Sequence, residues 1–152
     1  MKNEDVLLKE IDLIQSCINR MAQNSFMVKG WTISLVAVIL ALLPDMVNIK
    51  FLCALCVVFC ICFWYLDAFF LKTERLYRWK YEWITTNRLK CNDYFYDLNP
   101  KNQNMWSNDA NDNAKKEPCI LRIMFTRTLI PVYGTLIVLS IIIFVLSFWV
   151  CF

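Results

Sequence analysis

Long apolar stretches alternate with charged segments along this chain. The run from Leu129 to Phe152 has no charged side chain, and a helix needs about 20 apolar residues to cross the hydrocarbon core of a bilayer. Two further stretches lie earlier, Gly30 to Leu43 and Phe51 to Leu71, and a turn around Pro44 joins them. The pattern predicts three transmembrane helices: a two-span hairpin over residues 29–71 and a third helix over 128–152.

Residues 1–28 are predicted to form a cytoplasmic amphipathic helix. Apolar side chains recur there at the 4-3-4-3 spacing of a heptad seam. One interpretation is a helix that lies on the protein's own core or on lipid headgroups. The other is self-association, which makes the seam a candidate oligomerisation surface. The seam consists of Leu7, Ile11, Ile14, Ile18 and Met21.

Residues 72–127 are predicted to form a cytoplasmic helical segment that continues the second span to about Cys91. Glu74 and Arg78 have the i, i+4 spacing of a helical ion pair. Residues 97–118 are rich in Asn and Asp and are bounded by prolines. This composition predicts a flexible loop.

Composition agrees with an all-α integral membrane protein. Apolar residues make up 59% of the chain and only two glycines occur, which disfavours turn-rich β architecture. The chain has eight cysteines and no histidine, so the usual general base and the commonest zinc ligand are missing. We predict no enzyme activity, no catalytic residue, no metal and no cofactor. The cysteines inside apolar runs are expected to be buried free thiols.

The distribution of positive charge predicts the orientation. Eleven of the 16 lysines and arginines lie between residues 72 and 127, four lie before residue 30, and none follows the last apolar run. Because positive residues favour the cytoplasmic side, the amino terminus and middle segment are predicted to be cytoplasmic and the carboxyl terminus periplasmic. The net charge of +3 is too small to favour direct nucleic-acid binding.

Asp67 is the most informative single residue, since an ionisable group at membrane depth is a functional-site hypothesis by default. It could be an interface aspartate paired with Lys29, Lys72 or Arg75, or a residue of a proton or ion pathway. Aromatic and basic side chains near the span ends are expected to contact headgroups. These predicted membrane-interface anchors are Trp31, Trp64, Trp79, Trp83, Arg75 and Arg78.

Two segments carry a family resemblance, Asn24 to Leu35 and Phe63 to Leu76. They resemble the SLATT-like small membrane effectors of bacterial antiphage defence, in which a cytoplasmic helix precedes a two-span hairpin. They are also similar to the small membrane accessory proteins of type VI-B CRISPR systems. Those proteins assemble as rings and depolarise the inner membrane. This chain departs from both patterns by its predicted third span and by its lack of histidine.

The resemblance implies an oligomeric inner-membrane effector that forms a pore or otherwise permeabilises the membrane on activation. Its expected partners are the lipid bilayer, further copies of itself in a ring, and a cytoplasmic protein of the defence system. The alternative is a non-conducting membrane anchor or scaffold that recruits a cytoplasmic partner. A third hypothesis, an ion relay through Asp67, needs more spans than three unless the protein is oligomeric.

Overall fold

Helices account for the regular structure of the protein. The computed structural model describes residues 3–41, 49–90, 93–106 and 115–149. Within these ranges it contains the α-helices α1 (Asn3–Ala41), α2 (Ile49–Asn87), α3 (Ile120–Met124) and α4 (Ile130–Trp149), and a 3-10 turn at Gln103–Met105. No β-strand occurs in these ranges, so the all-α prediction is confirmed for them.

The two long helices are unbroken. Each has 39 residues, which corresponds to about 58 Å at 1.5 Å per residue. Neither contains proline, and Gly30 in α1 is their only glycine. Because one glycine costs a helix only about 1 kcal/mol, the predicted boundary at residue 28 is not a break in the helix. The turn predicted around Pro44 lies outside the described residues.

Two of the described helices, α1 and α2, are long and apolar enough to cross a membrane. Only 22% and 17% of the residues in their most apolar stretches are buried within the chain. The core helix of a soluble protein would be mostly buried, whereas here large side chains such as Phe26, Trp31 and Val58 are exposed. This surface is compatible with a membrane protein. α4 is also apolar, and its role as a third span remains a prediction.

Two compact units divide the chain. Unit 1 comprises Met1–Gln23 and Phe70–Cys119, and unit 2 comprises Asn24–Phe69 and Ile120–Phe152. Each unit therefore contains one segment of α1 and one segment of α2.

The heptad seam of α1 packs inside unit 1. Ile14 is buried against Ile84 of α2 and Met105, and Leu7, Ile11 and Ile18 pack against this cluster. Met21 is half-buried. Four of the five seam residues thus pack in the core of unit 1, and self-association through the seam stays a prediction.

Residues 97–106, the first part of the predicted loop over 97–118, contain no α-helix and pack in unit 1. Met105 and Trp106 are buried, and the Trp106 ring centroid lies 5.4 Å from that of Trp79. The Asp97 and Asn102 side chains accept hydrogen bonds from backbone amides two residues later, at 2.8 and 3.2 Å. Asn and Asp therefore fix local turns here. Residues 107–114 of the predicted loop lie outside the described part of the chain.

Lys80 holds the same segment from α2. Its buried ammonium group donates to the Asn99 carbonyl at 3.0 Å and lies 3.4 Å from the Asp97 carboxylate. Burial lowers the pKa of Lys80, against the opposing effect of Asp97. Burial by itself would raise the pKa of Asp97, but hydrogen bonds from Asn102 and Asn99 and the Lys80 charge hold it below its ordinary value.

A buried ion pair joins α1 to Arg88, the first residue after α2, in unit 1. Arg88 Nε and Nη2 donate to the two Glu10 carboxylate oxygens at 2.5 and 2.9 Å, and both side chains are buried. Glu10 also accepts a hydrogen bond from the Tyr96 amide at 2.7 Å. Arg88 donates to the carbonyls of Asp93 and Tyr94 at 2.5 and 3.1 Å. The pair therefore fixes both the helix contact and the turn that follows α2.

Unit 2 has a core of its own. Val36 of α1 is buried against Cys56 and Cys60 of α2, and Leu136 and Ile137 of α4 pack on this cluster. The Ser140 hydroxyl of α4 lies 3.5 Å from the Cys56 sulfur. Three helices thus share one apolar core. Cys53, Cys56 and Cys60 are buried free thiols, as expected, whereas Cys62 in the same apolar run is exposed.

We predict that Glu10→Gln destabilises the protein strongly, because it leaves the buried Arg88 without a counter-ion. Removing one partner of a buried pair costs about 3–5 kcal/mol. Thermal unfolding in detergent, followed by tryptophan fluorescence, measures the loss. The matched control is Glu74→Gln, which breaks the 2.7 Å pair with the exposed Arg78 and is expected to cost about 0–1 kcal/mol. Equal shifts in the two variants would contradict the prediction.

Candidate functional site

The candidate site is the polar cluster around Asp67 in unit 2. Asp67 lies on α2 and is fully buried, with Ala68 buried beside it and Cys60 two turns earlier. A charged group in such an apolar environment is strongly disfavoured unless it is paired and hydrogen-bonded. The surrounding helices supply these partners.

Donors from two other helices converge on the Asp67 carboxylate. Lys29 Nζ lies 3.0 Å from Oδ1 and 2.8 Å from Oδ2. The Ser25 hydroxyl donates to Oδ1, and the Tyr133 hydroxyl of α4 donates to Oδ2 at 3.0 Å. Both carboxylate oxygens therefore accept hydrogen bonds, and α1, α2 and α4 meet at one residue.

The α1 contribution follows from helical spacing. Ser25 and Lys29 are four residues apart, so both side chains lie on the same face of α1. Lys29 Nζ also donates to the Ser25 hydroxyl at 2.7 Å. The lysine side chain retains 24% exposure, because its long apolar stem can bury while the charged end stays close to a polar region. The cluster is thus buried at Asp67 and partly open at Lys29.

Trp64 packs beside the cluster from one turn earlier on α2. Its ring stacks on Tyr133 at 6.0 Å between centroids and 8° between planes. Its Nε1 donates to the Met124 carbonyl at 3.0 Å, which ties the end of α3 to α2. The Phe125 ring also meets the Trp64 ring edge-on, with 5.6 Å between the ring centroids. Trp64 therefore orients Tyr133 towards Asp67.

The geometry favours pairing over proton transfer. Of the three lysine and arginine partners expected for Asp67, the structure selects Lys29; Lys72 instead pairs with Glu117 at 2.6 Å. A relay residue must exchange protons with changing partners, whereas Asp67 is held by a cation and two hydroxyl donors. This arrangement can neutralise the buried charge of Asp67 and hold three helices together.

The other predicted site residues are distributed over both units. Trp31 is exposed on α1 in unit 2, and Arg75 is exposed on α2 in unit 1. Arg78 forms the predicted i, i+4 pair with Glu74, with hydrogen bonds of 2.9 and 2.7 Å. These placements leave contact with headgroups as a prediction.

Three of the predicted interface tryptophans have intramolecular neighbours. Trp64 belongs to the Asp67 cluster and Trp79 contacts Trp106. Trp83 packs against the unit 1 core and meets Tyr94 edge-on at 6.2 Å. Packing within the chain therefore accounts for the half-buried positions of these three tryptophans. Their contact with headgroups stays a prediction.

Sequence reasoning missed Ser25, Tyr133 and the Glu10–Arg88 pair. Ser25 and Lys29 could have been recognised as an i, i+4 polar pair bordering an apolar run. Glu10 lies three residues after Leu7 and four before Ile14, which places it on the apolar face, and a charge on that face is a signal of a buried partner. No local signal identifies Tyr133, because its role depends on how α4 packs.

We predict that Asp67→Asn lowers the unfolding midpoint in detergent, since it leaves Lys29 without its counter-ion. The expected loss is about 3–5 kcal/mol, and replacing both charges by apolar residues, Lys29→Met with Asp67→Leu, should recover most of it. A thiol-reactive dye reports the transition as labelling above that of the exposed Cys62 and Cys119, because Cys53, Cys56 and Cys60 are buried when folded. Thr135→Val, at an exposed position of α4, is the control. Wild-type stability of Asp67→Asn would refute a structural role for the pair.

Comparisons of the chain with protein-family models, with curated proteins and with solved structures found no match.

Proposed function

We propose that the protein is an oligomeric inner-membrane effector of antiphage defence that permeabilises or depolarises the membrane when activated. The observation that carries the proposal is the Asp67 cluster. It is a buried charged contact that joins three helices whose outward faces are apolar. Intramembrane ionisable groups are rare and mark functional positions. The resemblance of the first two spans to SLATT-like effectors supplies the biological setting.

In the proposed resting state, the Asp67 cluster keeps both charges inside unit 2. Separating Lys29 from Asp67 would leave two polar groups among apolar helices, where each unsatisfied group is strongly disfavoured. Water or a neighbouring subunit would then satisfy them. Separation of Lys29 from Asp67 would therefore allow water to enter between the helices and form a hydrated path.

Conduction by this mechanism requires several copies. Three packed helices around a shared apolar core have no room for a wide aqueous channel, so a channel would form between subunits. The cytoplasmic segment would receive the activating signal from a partner protein. Closed rings are the usual outcome of a repeated head-to-tail contact whose rotation closes.

A third span by α4 is part of the proposal. α4 has 20 residues, about 30 Å of helix, which matches the hydrocarbon core. It packs against the apolar parts of α1 and α2. With the charge asymmetry of the sequence, this supports a cytoplasmic amino terminus and a periplasmic carboxyl terminus.

We predict that a tag fused after Phe152 is accessible from the periplasm of intact cells, whereas a tag before Met1 becomes accessible only after the inner membrane is opened. Protease protection of the two tags in spheroplasts measures this. Because the predicted number of spans is odd, the two termini lie on opposite sides of the membrane. Protection of both tags would contradict the three-span topology.

We predict that Asp67→Asn conducts ions more readily than the wild-type protein when reconstituted at equal density in liposomes. If loss of the ion pair destabilises the closed state relative to the open state by about 1.4 kcal/mol, the basal ion flux should rise about tenfold. The apolar double replacement Lys29→Met with Asp67→Leu is the matched control and should stay closed. Potential-sensitive dye and a potassium gradient report the flux. Intact gradients with every variant would exclude permeabilisation through this contact.

The second candidate function is a non-conducting anchor that recruits a cytoplasmic partner. The favouring observation is that unit 1 has its own buried core and ion pair, as expected of a segment that presents a fixed binding surface. The mass of the detergent-solubilised particle distinguishes the anchor function from the effector function. A monomer favours the anchor, and a closed ring favours the effector.

A further inference from the structure

The short helix α3 and the connection to α4 expose two large apolar side chains. Leu121 and Phe125 are 63% and 65% exposed, and the Phe125 amide donates to the Leu121 carbonyl at 3.3 Å. This hydrogen bond continues the helical turn, so the two side chains lie one turn apart on the same face. Ile123 and Met124 of the same turn are buried. The Phe125 ring contacts Trp64 and is nevertheless mostly exposed, so the segment presents an apolar face outward.

A contact with α2 fixes the level of this segment along the second predicted span. The Met124 carbonyl accepts a hydrogen bond from Trp64 Nε1 at 3.0 Å. Trp64 precedes Leu71, the predicted end of the span, by about 10 Å along the helix axis. An interfacial helix buries its apolar face about 5–10 Å into the boundary between headgroups and acyl chains. The exposed apolar pair is therefore expected at the depth of that boundary.

Two arginines beside the apolar pair lack a counter-ion. Arg122 and Arg127 are exposed, and neither guanidinium group has an ion-pair or hydrogen-bond partner among the described residues. Asp67 is the only carboxylate in the described part of unit 2. It is buried, and Lys29 is its counter-ion. Unit 2 therefore carries positive charge next to an outward apolar face, with no carboxylate of its own to balance it.

The flanking sequence does not balance these arginines either. Glu117 is the nearest acidic residue before them, and its carboxylate lies 2.6 Å from the Lys72 ammonium group. The neighbouring Lys116 adds a further exposed cation. After Arg127 no charged residue follows in the sequence. The anion that balances Arg122 and Arg127 therefore comes from their surroundings.

An anionic phospholipid matches this combination of charge and apolar surface. Its phosphate oxygens accept hydrogen bonds from guanidinium groups, and its acyl chains can cover Leu121 and Phe125. Arginine can bury its apolar stem and extend its charged end towards the headgroup layer, so one lipid layer offers both contacts. The same segment of a second copy is a poorer match, because the described part of unit 2 offers no free carboxylate.

We propose that the segment from Leu121 to Arg127 binds an anionic phospholipid. Arg122 and Arg127 contact the phosphate headgroup, and Leu121 and Phe125 contact the acyl chains. The inference rests on the membrane placement of α4 in the proposed function, and it names the class of lipid that the protein selects. All four side chains belong to unit 2.

The test is lipid retention by the full-length protein in detergent, measured by native mass spectrometry. Phosphatidylglycerol and phosphatidylcholine with the same acyl chains are added at equal concentration, and the wild-type protein should retain phosphatidylglycerol in preference. Arg122→Gln and Arg127→Gln should each lower this preference about fivefold, since one basic residue near an anionic surface changes binding by about that factor. Lys9→Gln, which removes an exposed cation of α1 in unit 1, is the matched control and should keep the wild-type preference.

The apolar half of the site has a test of its own. Replacing Leu121 and Phe125 together by serine should lower the retention of both lipids without changing their ratio, because the acyl chains are identical. Leu8→Ser, at an exposed position of α1, is the control. Circular dichroism confirms that each variant is folded. If a glutamine variant does not fold, rising salt with the wild-type protein replaces it, since screening should lower the preference for the anionic lipid.

Three results overturn the proposal. The first is a wild-type protein that retains the two lipids equally, and the second is a folded Arg122→Gln, Arg127→Gln double variant that keeps the wild-type preference. The third is a double serine variant that retains both lipids as the wild type does but changes the mass of the particle. That result assigns the apolar face to a neighbouring copy.

Failure of the lipid site and failure of the proposed function give different results. Selective retention of phosphatidylglycerol by a protein that leaves liposome gradients intact supports the site and excludes permeabilisation. Ion conduction by a protein that retains the two lipids equally overturns the site and leaves the effector function standing.

Discussion

The ion pair between Lys29 and Asp67 is the contact on which unit 2 depends. In a lipid environment apolar side chains lose little by facing outward, so burial of apolar surface does not decide which helix faces meet. A carboxylate and an ammonium group behave differently, because each is strongly disfavoured in contact with hydrocarbon. Their pairing, completed by Ser25 and Tyr133, selects one face of α1, one of α2 and one of α4.

Unit 1 uses the same kind of contact for a different purpose. Glu10 and Arg88 are buried and mutually paired, but their remaining hydrogen-bonding capacity goes to the backbone of the turn after α2. The pair therefore determines the shape of a surface as well as the contact between helices. A hydrophobic pair of equal volume could support the helix contact, but it could not hold three backbone groups of that turn.

The sequence was sufficient for the helical class and the long apolar helices, because these follow from periodicity and from the length of the apolar runs. It also limited the partner of Asp67 to three cations, one of which, Lys29, is the partner found. It could not identify Tyr133, whose position depends on the packing of α4. Composition predicted a loop over residues 97–118 but could not predict how residues 97–106 pack, because the Asp97 and Asn102 turns and the buried Met105 and Trp106 are set by individual contacts.

In the proposed function, the polar contact rather than the apolar core of unit 2 is the element that switches. The apolar cluster of Val36, Cys56 and Cys60 is held by close packing, and it contains no charged group whose separation from a partner would be strongly disfavoured. The Lys29–Asp67 contact is either formed or broken, because charge attraction and hydrogen bonding need short distances and defined directions. Two discrete arrangements separated by a few kcal/mol are what a partner's binding energy can select between. A signal that reaches α1 or α2 therefore needs only to change the relative stability of this one contact to change how three helices meet.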